Sequence, residues 1–257
     1  MITITYVTVT YNAAASIQRT LDSVLEQDYP HIRHLIVDGA STDDTLQIVE
    51  DYVNQSNAAE NGHVVLVTSE PDNGIYDAMN KGLRSATGDY VCFLNAGDFL
   101  PAADTTTRIV ETVGSQSPAV LYGDTDIVDN EGRFLRHRRL APPEHLTWRS
   151  FRLGMLVCHQ AFYARTDYAI ATPYNQCYRY SADVDWCIRI MKQAEKEGAP
   201  LLNLHAVIAN YTEEGQTTQH HWESLWERYR VMQCHYGVLQ TFFLHCWFVV
   251  RAVLKKV

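Results

Sequence analysis

The stretch GIYDAMNKGLRSATGDYVCFLNAGD, residues 74–98, decides the fold class. Its first part carries a helical pattern, and Gly88 follows as a stop. Tyr90-Val91-Cys92-Phe93-Leu94 then reads as an apolar strand running into Asn95-Ala96-Gly97-Asp98. A buried strand that ends on a carboxylate behind a glycine is either closing in a turn or presenting a ligand to a cation. The flanking sequence has to choose between these.

Upstream the same alternation repeats. ITITYVTVTY is β-branched and alternating. Ile17, Thr20, Leu21, Val24 and Leu25 then fall at helical spacing, and that helix must end before Pro30. HLIVDG is a short strand ending at Asp38, and HVVLVTSE is another. Between them STDDTLQIVEDYV opens with Ser41 and Asp44 in capping-box relation and continues as helix. Short apolar strands separated by helices predict βαβ units, hence an α/β fold with a mostly parallel, Rossmann-like central sheet and helices on both faces. In such sheets ligands bind beyond the carboxyl ends of the strands. The polar residues at those ends are Thr10-Tyr11-Asn12, Asp38, Glu70-Pro71-Asp72-Asn73 and Asn95 through Asp98, which should converge on one rim.

The second half is less regular. AVLYGDTDIV and GRFLRHRRLA read as paired strands around the turn signal DNEGR, and HQAFYAR as a further strand. ADVDWCIRIMKQAEK is a helix and LLNLHAVIANYT a strand. From Trp222 the pattern is helical, breaks at Gly237 and resumes through Leu254, ending on Arg251, Lys255 and Lys256. We therefore divide the chain into a main domain, residues 1–215, and a C-terminal helical extension, residues 216–257. The extension reads as a helix pair packed on the domain or as an interfacial membrane anchor; the breadth of its apolar face, with Trp247, Phe248 and Val249, favours the anchor.

A formal net charge of -9 makes the chain a poor general partner for nucleic acid, but leaves phosphate-bearing small molecules open. The six cysteines are scattered without a CxxC pair, which argues against a zinc ribbon and for a reducing compartment. The N-terminus lacks the basic and small-residue features of a signal peptide, and no apolar run reaches the length of a spanning helix. No GxGxxG follows the first strand; TYNAAAS stands there, which disfavours a dinucleotide cofactor.

VTVTYNAAASIQRTLDSVLEQDYP, LIVDGASTDDT, SEPDNGIYDAMNKGLRSATGDYV, FLNAGD and SADVDWCIRI, in this order, resemble the inverting family 2 glycosyltransferases of the GT-A fold, of the bacterial cell-surface polysaccharide type. The resemblance spans most of residues 1–190. It implies transfer of a sugar from a nucleotide-diphosphate sugar, with UDP favoured, to a hydroxyl of a saccharide or lipid-linked acceptor. It places the chain in the cytoplasm, peripheral at the inner face of the membrane. By this resemblance Thr10, Tyr11 and Asn12 line the nucleotide pocket and Asp38 recognises base or ribose, although Asp38 also suits a helix-capping role. Asp72 and Lys81 border the nucleotide and diphosphate. Asn95, Ala96 and Gly97 lie against the donor, and Asp98 is the direct ligand of a divalent cation, Mg²⁺ or Mn²⁺. The family's metal motif is richer in acids: Asn95 and Gly97 stand where two of them usually do.

The same resemblance puts the general base at Asp183, on the first turn of a helix that also holds Arg189. Asp185, about 200° around the helix, should face elsewhere. Tyr122, His159 and Gln160 are expected on the acceptor side. EEGQTTQHH is a candidate lid, and His220 and His221 could supplement a thinned metal site. Two rival readings remain: a nucleotidyltransferase, for which TYNAAAS lacks the basic glycine-rich loop, and a non-catalytic nucleotide-sugar-binding protein.

Overall fold

The computed structural model describes residues 1–213 and 221–254. In chain order the elements are β1 (Ile4–Thr10), α1 (Ile17–Leu25), β2 (Ile32–Asp38), α2 (Thr45–Ala59), β3 (Val64–Ser69), α3 (Ile75–Ser85), β4 (Tyr90–Phe93), α4 (Thr105–Val113), β5 (Val120–Val128), β6 (Phe134–His137), β7 (Phe162–Arg165), α5 (Thr166–Ala171), α6 (Ala182–Glu197) and β8 (Leu201–Thr212). Two C-terminal helices follow, α7 (His221–Tyr236) and α8 (Val238–Leu254). Short 3-10 turns at Trp148–Leu153 and His159–Ala161 precede β7.

The strands form one mixed sheet in the order β3-β2-β1-β4-β7-β5-β6, with β8 along the other edge of β5. The first four strands are all parallel, so their carboxyl ends share one rim. β7 runs antiparallel to both β4 and β5, and β8 pairs β5 in parallel. Alternation along β2 explains the two covered faces. Ile36 packs with Ile17, Leu21, Val49 and Tyr52 of α1 and α2. Leu35 and Val37 point the other way, into the main core with Met79 and Leu83 of α3. Helix α3 comes unusually close to the sheet at Gly82, where a Cβ would lie 2.5 Å from Val7 Cγ1. The glycine in mid-helix is therefore a packing requirement that outweighs its helix propensity cost of about 1 kcal/mol.

The expected capping box does not form. The N-cap of α2 is Asp44, without a side-chain cap bond, while Ser41 is drawn toward Asp38. Asp43 instead accepts the N–H of Thr45 at 3.1 Å.

The C-terminal helices part at Gly237, whose φ of 83° suits glycine. Val231 and Met232 of α7 are buried. His235 Nε2 lies 2.7 Å from Asp185 Oδ1, and Tyr236 donates to the Trp148 carbonyl at 2.6 Å. Glu227 accepts the backbone N–H groups of Arg179 (2.7 Å), Tyr180 (2.6 Å) and Ser181 (2.7 Å), the residues leading into α6. A carboxylate from α7 thus caps the start of α6 across the chain, where the helix dipole favours negative charge. None of the described helices is long and apolar enough to cross a membrane.

Candidate active site

Two clusters occupy the rim. The first gathers at the ends of β1, β2 and β3. Thr10 sits opposite Asp38 in the parallel ladder, and Asp38 opposite Ser69. Tyr11 is 63% exposed, a large aromatic ring at the mouth with little packed on it. The Thr10 hydroxyl is buried without a partner. Asn12 and Ala40 both adopt left-handed backbone, φ 46° and 62°. Asn12 Oδ1 accepts the Thr42 N–H at 2.8 Å, and its own N–H donates to Ser41 Oγ at 2.8 Å, so the loops after β1 and β2 are tied together. A Cβ on Gly39 would stand 2.5 Å from Asp72 Oδ2 and 3.3 Å from Tyr11 Cδ2. Glycine there keeps Tyr11, Asp72 and the β2 end in one cradle.

Asp38 takes the structural role. It is fully buried and accepts hydrogen bonds from the Ser41 N–H (2.9 Å), the Ser69 hydroxyl (2.7 Å) and the Ser41 hydroxyl. Its carboxylate ties the end of β3 to the loop after β2. Lys81 is likewise committed: Nζ donates to the Pro71 carbonyl at 2.7 Å and pairs with Glu70 at 2.9 Å. It braces the loop carrying Asp72, whose Oδ1 accepts the Gly74 N–H at 2.8 Å.

The second cluster surrounds the end of β4. Asp183, on the first turn of α6, receives Tyr76 Oη at 3.3 Å on one oxygen, and His159 Nδ1 lies 3.4 Å from the other. His159 Nε2 meets Asn95 Nδ2 at 3.1 Å. Taken as the Nδ1–H tautomer, His159 donates to Asp183 and accepts from Asn95, which makes one chain, Asn95–His159–Asp183. Burial acts to raise the Asp183 pKa, but the hydrogen bond from His159 and the Arg228 charge hold it below the usual carboxylate range. Asp185 faces away, paired with Arg189 at 2.7 Å and with His235.

The other residues expected at this end are drawn into the protein's own contacts. Asp98 is turned inward and buried. Its Oδ2 accepts Gln160 Nε2 at 2.6 Å and its Oδ1 the Thr212 N–H at 3.1 Å. Burial pushes its pKa up to about 6, against those hydrogen bonds. Gln160 is thus a buried partner of Asp98. Tyr122 is fully buried in β5, and its hydroxyl serves the 143–146 segment, donating to the Glu144 carbonyl at 2.9 Å. Gly97 has φ 103° and donates its N–H to Thr20 Oγ1 at 2.9 Å; the turn needs glycine for its backbone.

A divalent cation anchored on Asp98 does not fit these residues. Both Asp98 oxygens already accept hydrogen bonds, and no group of three His, Cys, Asp or Glu suited to a metal exists among the described residues. The one unpartnered oxygen at the β4 end is Asn95 Oδ1, a neutral amide. Mg²⁺ is usually held by one or two carboxylates besides phosphate oxygens. The candidate lid over residues 213–221 and His220 lie largely outside the described residues, as does the side chain of His221.

Sequence reasoning passed over Tyr76, Gly39 and Ser69, and read Ser41 only as a helix cap. Tyr76 stands in the same segment as Asp72, but a tyrosine at helical spacing reads as core. Ser69 sits at the rim and carries no motif of its own.

An exposed aromatic, an acidic loop and a carboxylate held by histidine and tyrosine thus share the rim of a mixed α/β sheet. The chain belongs to glycosyltransferase family 2: the model described as "Glycosyl transferase family 2" matches residues 5–170. It is 34% identical over 216 residues to a "PGL/p-HBAD biosynthesis glycosyltransferase" of Mycobacterium tuberculosis, covering 80% of this chain and 75% of the relative. It is 30% identical over 208 residues to the "Amylovoran biosynthesis glycosyltransferase AmsB" of Erwinia amylovora, covering 78% of this chain and 66% of the relative. Among solved structures, S. aureus TarS in complex with UDP-GlcNAc superposes with a TM-score of 0.70 at 20% identity, over 90% of this chain and 65% of that one. The mannosyltransferase PcManGT from Pyrobaculum calidifontis, in complex with GDP-Man and Mn2+, superposes with a TM-score of 0.60 at 20% identity, over 89% of this chain and 61% of that one. This chain thus spans somewhat under two-thirds of those structures, and the likeness is one of fold.

Proposed function

We propose that this glycosyltransferase moves a sugar, with inversion, from a nucleotide-diphosphate sugar to a hydroxyl of a saccharide or lipid-linked acceptor in polysaccharide or glycolipid assembly. The observation that carries this reading is the setting of Asp183. A carboxylate held below its ordinary pKa by its neighbours is ionised at neutral pH, and it stands at the end of β4, one strand from Thr10 and Tyr11. Adjacent strands lie about 4.8 Å apart, so the axes of β2 and β4 are about 10 Å apart, a span suited to a nucleoside diphosphate.

In this reading Tyr11 lies against the base, and Asp72 and Asn12 border the ribose side. Ala96 and Gly97 let the backbone approach the sugar. The acceptor oxygen attacks the anomeric carbon from the face opposite the diphosphate. Its proton passes to Asp183, the bond to the diphosphate oxygen breaks, and the electron pair leaves with the nucleoside diphosphate. One displacement and one base suffice, and proton transfer of this kind contributes about 10²–10⁴-fold in rate. His159 and Tyr76 orient the carboxylate, so His159 belongs to the base and not to acceptor recognition. The UDP preference draws on TarS, and the biosynthetic role on the mycobacterial and Erwinia relatives.

The aromatic face of the C-terminal pair supports peripheral contact with the inner membrane surface. Trp222, Trp226, Leu239 and Phe243 are each more than half exposed. A thermal-shift screen of UDP-, GDP- and dTDP-sugars tests the donor class. Release of nucleoside diphosphate only when acceptor is added tests transfer. Binding of a nucleotide sugar without turnover on any acceptor would leave the non-catalytic reading.

A further inference from the structure

The leaving group in the proposed reaction carries negative charge, and Asp98 does not offer a cation site. The basic side chains near the rim are mostly committed. Lys81 is bound by Pro71 and Glu70. Arg189 is bound by Asp185 and the Pro173 carbonyl. Arg228 of α7 is the exception. It is half-buried and its Nε is fully buried without a hydrogen-bond partner, and among the described residues its charge acts on Asp183 without direct contact. An arginine with a buried, unpartnered donor is costly unless something else fills its fork.

Its position is fixed independently. The preceding residue, Glu227, grips the backbone N–H groups of Arg179, Tyr180 and Ser181, and the Ser224 carbonyl accepts from Ser181 Oγ at 3.4 Å. This turn of α7 is therefore pressed against the start of α6, two residues from Asp183. We propose that Arg228 is the leaving-group cation of the site, its guanidinium taking oxygens of the donor's diphosphate as the sugar departs. The proposal rests on the glycosyl-transfer reading above. A planar guanidinium binds phosphate oxygens in a fork and stays charged throughout, which suits charge that grows during bond breaking.

The test separates diphosphate from nucleoside. Calorimetric titrations of the full chain with UDP and with uridine, in EDTA, compare the native protein with Arg228→Ala and Arg228→Lys. GDP with guanosine and dTDP with thymidine serve as parallel probes. Arg228→Ala should weaken the diphosphate about 10- to 100-fold and leave the nucleoside unchanged. Arg228→Lys should recover part of the diphosphate affinity, and kcat should fall in both. The melting temperature of Arg228→Ala should change by no more than a few degrees, because among the described residues the guanidinium makes no hydrogen bond and interacts with Asp183 only at a distance. Equal weakening of nucleoside and diphosphate, or no weakening of either, would overturn the role of Arg228 while leaving the donor reading intact. If native protein binds none of the three diphosphates, the donor reading fails and Arg228's role with it.

Discussion

Replacing Asp98 by asparagine should make the protein more stable near neutral pH, and the gain should depend on pH. Unfolded, the Asp98 carboxyl titrates near 3.8; buried, it titrates at about 6. The native state therefore holds a proton that the unfolded chain has lost, and stability falls as pH rises through this window, then levels off. The gap between the two values corresponds to about 3 kcal/mol at neutral pH. About half of that is already lost at about pH 5, so the difference between the Asp98→Asn variant and native protein should grow by about 1.4 kcal/mol from there to about pH 7.5. For a chain of this size that is about 3–5 °C in melting temperature. The amide introduced by Asp98→Asn can keep both contacts: its carbonyl takes the Thr212 N–H, and a flipped Gln160 amide takes its N–H₂. Paired thermal melts at the two pH values measure the growth. A difference that stays constant, or native protein that gains on the variant as pH rises, would refute the burial argument. Adding Mn²⁺ without donor extends the assay: selective stabilisation of native protein at neutral pH would restore Asp98 as a metal ligand.

Asp183→Asn should retain donor binding and lose transfer by about 10²–10⁴-fold, read as kcat with unchanged donor affinity. Because the neighbours of Asp183 hold its pKa below the ordinary range and only its ionised form accepts a proton, the rate should show no acid limb from this group above about pH 4. His159→Ala removes the main group lowering that pKa, so the acid limb should move upward along with a fall in kcat; an unmoved limb would show that His159 only packs. Tyr11→Ala should raise the donor KM by about 5- to 10-fold with kcat little changed, as expected for loss of an aromatic contact worth about 1 kcal/mol. Gly97→Ala should cost about 1–2 kcal/mol of stability, from its positive φ and not from crowding, since the nearest atom to an added Cβ is Ser16 Cβ at 3.6 Å.

Much of this was legible before any coordinates. β1 to β4 announced themselves because buried parallel strands are short apolar runs, and their polar ends marked the rim without knowledge of packing. Asp183 and Asp185 were separable because helical geometry alone turns them apart, and they do meet different partners. What was not legible is which way a rim carboxylate turns. Asp38 and Asp98 both follow a strand, yet each faces inward because serines, Gln160 or a backbone N–H distant in sequence satisfies it. Tyr122 misled for the opposite reason: Tyr122-Gly123-Asp124 lies inside β5, and its parallel partner β8 is about 80 residues away, where local pattern carries no information. Arg228 escaped notice because a basic residue on an amphipathic helix reads as solvated surface until its buried Nε and its position beside the start of α6 are seen.

The grip of Glu227 on the entry to α6 has a consequence for a chain emerging from the ribosome. Strands and helices through β8 are synthesised first and can assemble while α7 is still inside the exit tunnel. Until α7 emerges, the turn bearing Asp183 lacks its anchor. Competence for chemistry would therefore arrive as a late event, after the scaffold has closed, and a half-made polypeptide would be spared from squandering activated sugar on water.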